Sequence, residues 1–282
     1  MKKTNFTLVS EIAKGSNRSI RTLTNRSTKS ITPEERLDAL YYLALCHLKG
    51  IHTLCDKQKA LQLLEQAAHN RHAHARFSLG LLYIQGNFVK SNKSQGLKLI
   101  ELAAMAGQVD AMAYIGSLYI KGHTYSIDIK KGLELTILAH EQGSSKATYN
   151  LAICYQKGIG ATKNKIKAVQ LFKKAADNGH TGAQHSLALY AFKNKESTIG
   201  INRLIEAANT GYKPASHDLA CCYYSGTHTA QNYANAYIYF NIAESTVPEH
   251  LNHWLKTSGQ GFKIYLNQEI ESITSLQTAL FH

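Results

Sequence analysis

Proline is scarce, with three in 282 residues, and that suits long helices rather than a loop-rich all-β protein. Acids are also few, 19 against 32 lysines and arginines, leaving a formal charge of +13. No run of 18 apolar residues exists, so no membrane-spanning helix is expected. Asn5, Thr7, Ser10 and Glu11 interrupt the start, so a secretory signal peptide is not expected either. Five cysteines, an odd number without regular spacing, do not make a disulfide framework. A reducing cytoplasm is the simplest compartment, with export by a specialised secretion system as the alternative. Glycine-rich phosphate loops, GxSxG and HExxH are missing. The expectation is no catalytic residue, no cofactor and no metal.

What is present is a period. Ala39, Ala75, Ala111, Ala147 and Ala183 stand 36 residues apart, and Ala215 follows after 32, so the fifth repeat is four residues short. Gly50, Gly86, Gly122, Gly158 and Gly226 keep the same register, with Asn194 in the short repeat. Tyr83, Tyr119, Tyr155 and Tyr223 form another column, with His47 and Ala191 as departures. Gly107, Gly143, Gly179 and Gly211 close their repeats. Self-similarity at this period is the signature of a stacked array.

Each repeat reads as two helices. The first runs from the anchor alanine to the tyrosine, and the glycine after it suits a left-handed C-terminal cap. The second opens behind Asp56, Asn92, Asp128, Asn164 or Asn232, side chains that cap first-turn amides. Thr32-Pro33-Glu34-Glu35 reads as a capping box at the start of the array.

The columns Ala75, Leu79, Gly80, Tyr83 and Gly86, and Ala147, Leu151, Ala152, Tyr155, Gly158, Lys167, Ala168, Ala175, Ala176 and Gly179, resemble the Sel-one-like repeat (SLR) family, relatives of the tetratricopeptide repeat. The resemblance covers about residues 39–246. It implies an all-α, right-handed α-solenoid of about six helix-turn-helix repeats, starting near 39, 75, 111, 147, 183 and 215. It also implies a scaffold for protein complexes, with bacterial effectors and immunity proteins among the forms. One branch with a disulfide in each repeat is not implied, because its cysteines are missing here.

Residues 1–31 carry seven basic residues and one acid, and are expected to form a flexible basic arm. The solenoid is assigned to 32–246 and capping helices to 247–282. Phe262, Tyr265, Leu266, Ile270 and Ile273 follow helical spacing, and a capping element is the preferred reading over a homodimer interface.

By analogy with tetratricopeptide geometry, the first helices line a concave face. Tyr41, Phe77, Tyr149, His185 and His217 form one candidate partner-binding column, and Ile84, Gln156, Phe192 and Tyr224 another. Between them run Leu45, Leu81, Ser117, Ile153, Leu189 and Cys221. These columns read equally as an open groove with aromatic anchors or as packed core. A second candidate is the basic patch Lys157, Lys163, Lys165, Lys167, Lys173 and Lys174, a stretch without an acid. Lysine without interleaved arginine suits charge attraction rather than base reading. The reading is therefore a protein-interaction scaffold for a partner protein or peptide, with an acidic partner favoured by the field. The alternative is binding of nucleic acid or an anionic surface through the arm and the lysines.

Overall fold

The computed structural model describes residues 17–29, 32–51, 53–86, 88–122 and 125–280. Among these residues there are fifteen α-helices and no strand. The chain divides into two compact units, one up to Ser144 and one from Ser145.

The N-terminal unit holds α1 (Asn17–Lys29), then the helical hairpins α2 (Pro33–Lys49) with α3 (Lys57–His69), α4 (Ala73–Gln85) with α5 (Lys93–Met105), and α6 (Val109–Lys121) with α7 (Ile129–Glu141). The C-terminal unit holds α8 (Ser145–Lys157) with α9 (Lys165–Asp177), α10 (Thr181–Lys193) with α11 (Ser197–Asn209), and α12 (Lys213–Ser225) with α13 (Tyr233–Ile242). It ends in α14 (Glu249–Thr257) and α15 (Gln260–Leu280). Each hairpin is one sequence repeat of the α-solenoid type.

Local chemistry sets the boundaries. Asp56, Asn92, Asp128, Asn164 and Asn232 each accept the amide three residues on, at 2.9–3.0 Å. Thr32 accepts the amide of Glu35 at 3.2 Å, with Pro33 in the first turn. Gly86, at φ 71°, ends α4 and donates its amide to the Leu82 carbonyl. All six anchor alanines are fully buried, because the hairpins meet over them and a larger side chain would hold the helices apart.

A second set of caps opens the first helices, and it is not an Asx set. His72 and His180 accept the amides of Ala75 and Ala183 through Nδ1, each at 3.2 Å. Gln108 accepts the amide of Ala111 through Oε1.

The arm expectation is corrected for residues 17–29. They form α1, and Leu23, 1% exposed, packs with Ala39, Leu43 and Cys46 of α2. The composition of the segment is mostly polar, but Leu23 packs into α2. Residues 1–16 lie outside the described residues.

The C-terminal segment packs on its own unit. Leu266 of α15 is fully buried with Ile238, Ile242 and Leu255. Gln277 donates from Nε2 to the carbonyl of Ala208, at the end of α11, at 2.7 Å.

Candidate functional site

The sequence columns do not share one environment. Phe77 is buried with Ile100, Ala103 and Ile115, so it is core. Tyr41 lies 5.3 Å from the ring of His72, Tyr149 stacks on His180 at 4.3 Å, and His185 lies 5.7 Å from Tyr212. In each case the residue two after the anchor meets the residue three before the next anchor. His185 also binds Asp218, Nε2 to Oδ2 at 2.7 Å. His217 is exposed and contacts Cys221, 3.6 Å from Sγ. Ile84 is half-buried against Gly96, Phe192 stacks on His228 at 4.1 Å, and Tyr224 sits beside Tyr233 and Phe240.

Gln156 belongs to a different place. It lines an open groove of about 1020 Å³ between α9 and α10, within the C-terminal unit. Its floor holds Ile166, Val169, Leu189 and Tyr190, and Gln156 donates from Nε2 to the Tyr190 hydroxyl at 3.1 Å. Ile166 is 76% exposed and Leu189 47%. Lys163, Lys165, Lys173 and Lys193 stand around them with Gln170, Ser186 and Asn194, and no acid lines the groove.

The basic patch is therefore divided. Lys163, Lys165 and Lys173 line the groove. Lys167 is tied inside its own repeat, donating to the Tyr155 hydroxyl at 2.7 Å and lying over its ring. Lys157 and Lys174 are exposed and do not line it. Ile166, Val169, Tyr190 and Lys193 were not candidates in the sequence. The available signal was the short fifth repeat.

The deletion shortens the connector beside the groove. Elsewhere seven residues connect the two helices of a repeat, as from Gly86 to Asn92 and from Gly226 to Asn232, whereas Asn194–Glu196 connects α10 to α11. In the second and sixth repeats the residue two after the loop glycine, Phe88 or His228, has positive φ and reaches the first residue of the second helix in the preceding repeat; in the fourth it is Gly160. Phe88 lies 5.5 Å from Lys57 Nζ, and His228 Nδ1 lies 3.1 Å from Ser197 Oγ. Lys165 is the equivalent first residue of α9, and the short connector has no residue to cover it.

Two tyrosine–carboxylate contacts in the N-terminal unit have no counterpart at the groove. Tyr83 donates its hydroxyl to Glu65 of the preceding repeat at 3.3 Å, and Tyr125 donates to Glu101. The residue at the groove corresponding to Tyr83 is Ala191, and the column of Glu65 and Glu101 continues as Ile137 and then Lys173.

Burial pushes the Cys154 and Cys221 thiols up, and Cys222 up to about 11, so the thiolate nucleophile is scarce near neutral pH. Among the described residues, no three His, Cys, Asp or Glu side chains are placed to hold a metal ion. Among them also, no helix is long and apolar enough to cross a membrane.

The family model described as Sel1 repeat matches residues 37–72, 73–108, 109–144, 145–180 and 213–244. These matches pass over 181–212, the short repeat beside the groove. A Sel1 repeat protein from Oxalobacter formigenes is 23% identical, with a TM-score of 0.65, over 87% of this chain and 97% of that one. A protective antigen with an SLR fold from uropathogenic Escherichia coli strains is 23% identical, with a TM-score of 0.53. That match covers 80% of this chain, which spans about half (48%) of the antigen's length. An immunity protein from Pseudomonas aeruginosa is 17% identical, with a TM-score of 0.55, over 76% of this chain and 82% of that one. These likenesses show the fold. No curated protein matches the sequence.

Proposed function

Because the chain belongs to the Sel1 repeat family, we propose that it is a protein-interaction scaffold that works by docking a partner protein, without covalent chemistry. The observation that supports this best is the groove between α9 and α10, where Ile166 and Leu189 present apolar surface to solvent. An exposed apolar patch rimmed by polar groups is the usual form of a docking site. An immunity role, binding and blocking a cognate protein, is one form of this reading. The free thiols of Cys46, Cys55, Cys154, Cys221 and Cys222 suit a reducing compartment and support a cytoplasmic setting.

A second reading, binding of nucleic acid or an anionic surface, draws on the same lysines and on exposed Arg21 and Arg26 of α1. A phosphate-driven complex weakens steeply as salt rises.

The test is capture of the tagged full chain from its own cells, mass spectrometry of what is retained, and direct binding between the purified proteins. The expected result is a protein that binds directly and survives nuclease treatment. Retention that disappears with nuclease, or no direct protein binder, removes the scaffold reading.

A further inference from the structure

The neighbouring repeats show what the groove lacks. In the second and sixth repeats the long connector sets Phe88 beside Lys57 and His228 beside Ser197, at the start of the preceding second helix, whereas the fourth repeat has Gly160 at that position. The short connector of the fifth repeat has no such residue beside Lys165, and the exposed position after it, held by Gln58 and Thr198 in the first and fifth repeats, is the apolar Ile166 here. The place of carboxylates Glu65 and Glu101 is taken by Lys173. A short connector, alanine in the tyrosine column, an exposed isoleucine and a lysine in the carboxylate column coincide on one surface.

We propose that the groove takes a short acidic segment of a partner protein, seated where the longer connector lies in the other repeats. One large apolar or aromatic side chain rests on Ile166, Val169 and Leu189, and carboxylates on either side face Lys165, Lys173 and Lys193. The proposal rests on the scaffold reading and names the chemistry of its partner. The groove runs along α9 from Lys165 to Lys173, about 12 Å at the rise of an α-helix. That length holds about four residues of extended chain. Lysine pairs with exposed carboxylates contribute little singly, so the apolar anchor carries affinity while the charges select the partner. Nucleic acid fits less well. Single strands need stacking platforms, and Tyr190, the one aromatic ring in the lining, is engaged by Gln156.

Panning a phage-displayed library of random nine-residue peptides on the full chain tests this. Enriched peptides should carry at least two Asp or Glu around one Phe, Trp, Tyr or Leu. A fluorescein-labelled copy of the most enriched peptide should lose at least tenfold in affinity to Lys165→Glu/Lys173→Glu/Lys193→Glu. It should lose a comparable amount to Ile166→Gln, a substitution at a side chain largely in solvent, with the circular dichroism melt unchanged for both variants. Enrichment of neutral or basic peptides overturns the proposal, and so does binding indifferent to both variants. A labelled oligo(dT) 12-mer that binds as tightly and displaces the peptide overturns it in favour of nucleic acid. A cellular partner held equally well by wild type and the triple lysine variant removes the groove assignment and leaves the scaffold reading standing.

Discussion

The ring of Tyr149 lies flat on the ring of His180, with centroids 4.3 Å apart and planes within 18°. His180 is at the same time the cap of α10, taking the amide of Ala183 on Nδ1 at 3.2 Å. A tyrosine from one repeat thus holds the residue that starts the next. Tyr41 and His72 repeat the arrangement in the N-terminal unit, with centroids 5.3 Å apart and the same cap on Ala75. Tyr41, Tyr149 and His185 of the aromatic column thus take part in repeat-to-repeat packing.

The His180 cap requires an unprotonated Nδ1, so it is a pH-sensitive joint. Burial, with a further contribution from Lys146, holds its pKa below the ordinary histidine value. Burial also depresses His47 and His74. The unfolded chain then binds more protons than the native one, so stability falls as pH drops. It should be full above about pH 7.5 and decline once pH passes below about 6.5, the unperturbed histidine value. Urea unfolding at pH 7.5 and 5.5 measures this. His180→Asn keeps a capping side chain and should flatten part of the slope. His180→Ala should cost about 1 kcal/mol at pH 7.5.

Much of the fold is legible in the sequence because its signals are local. The alanine period marks residues that are fully buried, and Asx caps act on amides three residues away. The histidine caps are not legible in this way, since His and Gln rank low as capping residues and His72 and His180 cap only because the stack places them. The deletion in the fifth repeat is visible, but its consequence is tertiary. Lys165 and Lys173 read as a solvated lysine run, and only the structure puts them with Ile166 and Leu189 around one groove.

Arg71 occupies the position that Gly107, Gly143, Gly179 and Gly211 hold in later repeats, and it has φ 64°. A side chain in the left-handed region costs about 1–2 kcal/mol, part of which glycine gives back as lost unfolded-state restriction. Arg71→Gly should therefore stabilise the chain by roughly 0.5–1 kcal/mol. Chemical denaturation of the two proteins decides it, and equal midpoints would mean that the arginine makes a compensating contact.

Gly80 and Gly96 face each other so closely that a Cβ on Gly80 would lie 2.7 Å from the Gly96 carbonyl oxygen. A Cβ on Gly96 would lie 2.6 Å from the Gly80 oxygen. The neighbour in each case is backbone, so Gly→Ala should cost about 1–3 kcal/mol despite the better helix propensity of alanine. Gly116 and Gly132 repeat the arrangement, but in three other repeats both members are alanine: Ala44 with Ala60, Ala152 with Ala168 and Ala220 with Ala236. The hairpin thus has a second, slightly wider solution. Gly80→Ala/Gly96→Ala should cost clearly less than the sum of the single changes, a coupling that a double-mutant cycle by urea unfolding reads directly.

The end of the stack gives a last test, because a cap and a dimer interface respond oppositely to concentration. Leu266 is fully buried among Ile238, Ile242 and Leu255 within one chain, and Gln277 ties α15 to Ala208. If α15 seals its own unit, Leu266→Ala should cost about 2–5 kcal/mol and Gln277→Ala about 1 kcal/mol, independent of protein concentration. If the helix instead completed a dimer, unfolding midpoints would rise with concentration, since association stabilises by mass action. Ile264, Tyr265 and Leu276 remain exposed on α15, so charges placed there test the dimer separately. Ile264→Glu/Leu276→Glu should leave the elution volume and melting temperature unchanged if capping is the function of α15. A shift to a smaller species would make that outer face the subunit contact.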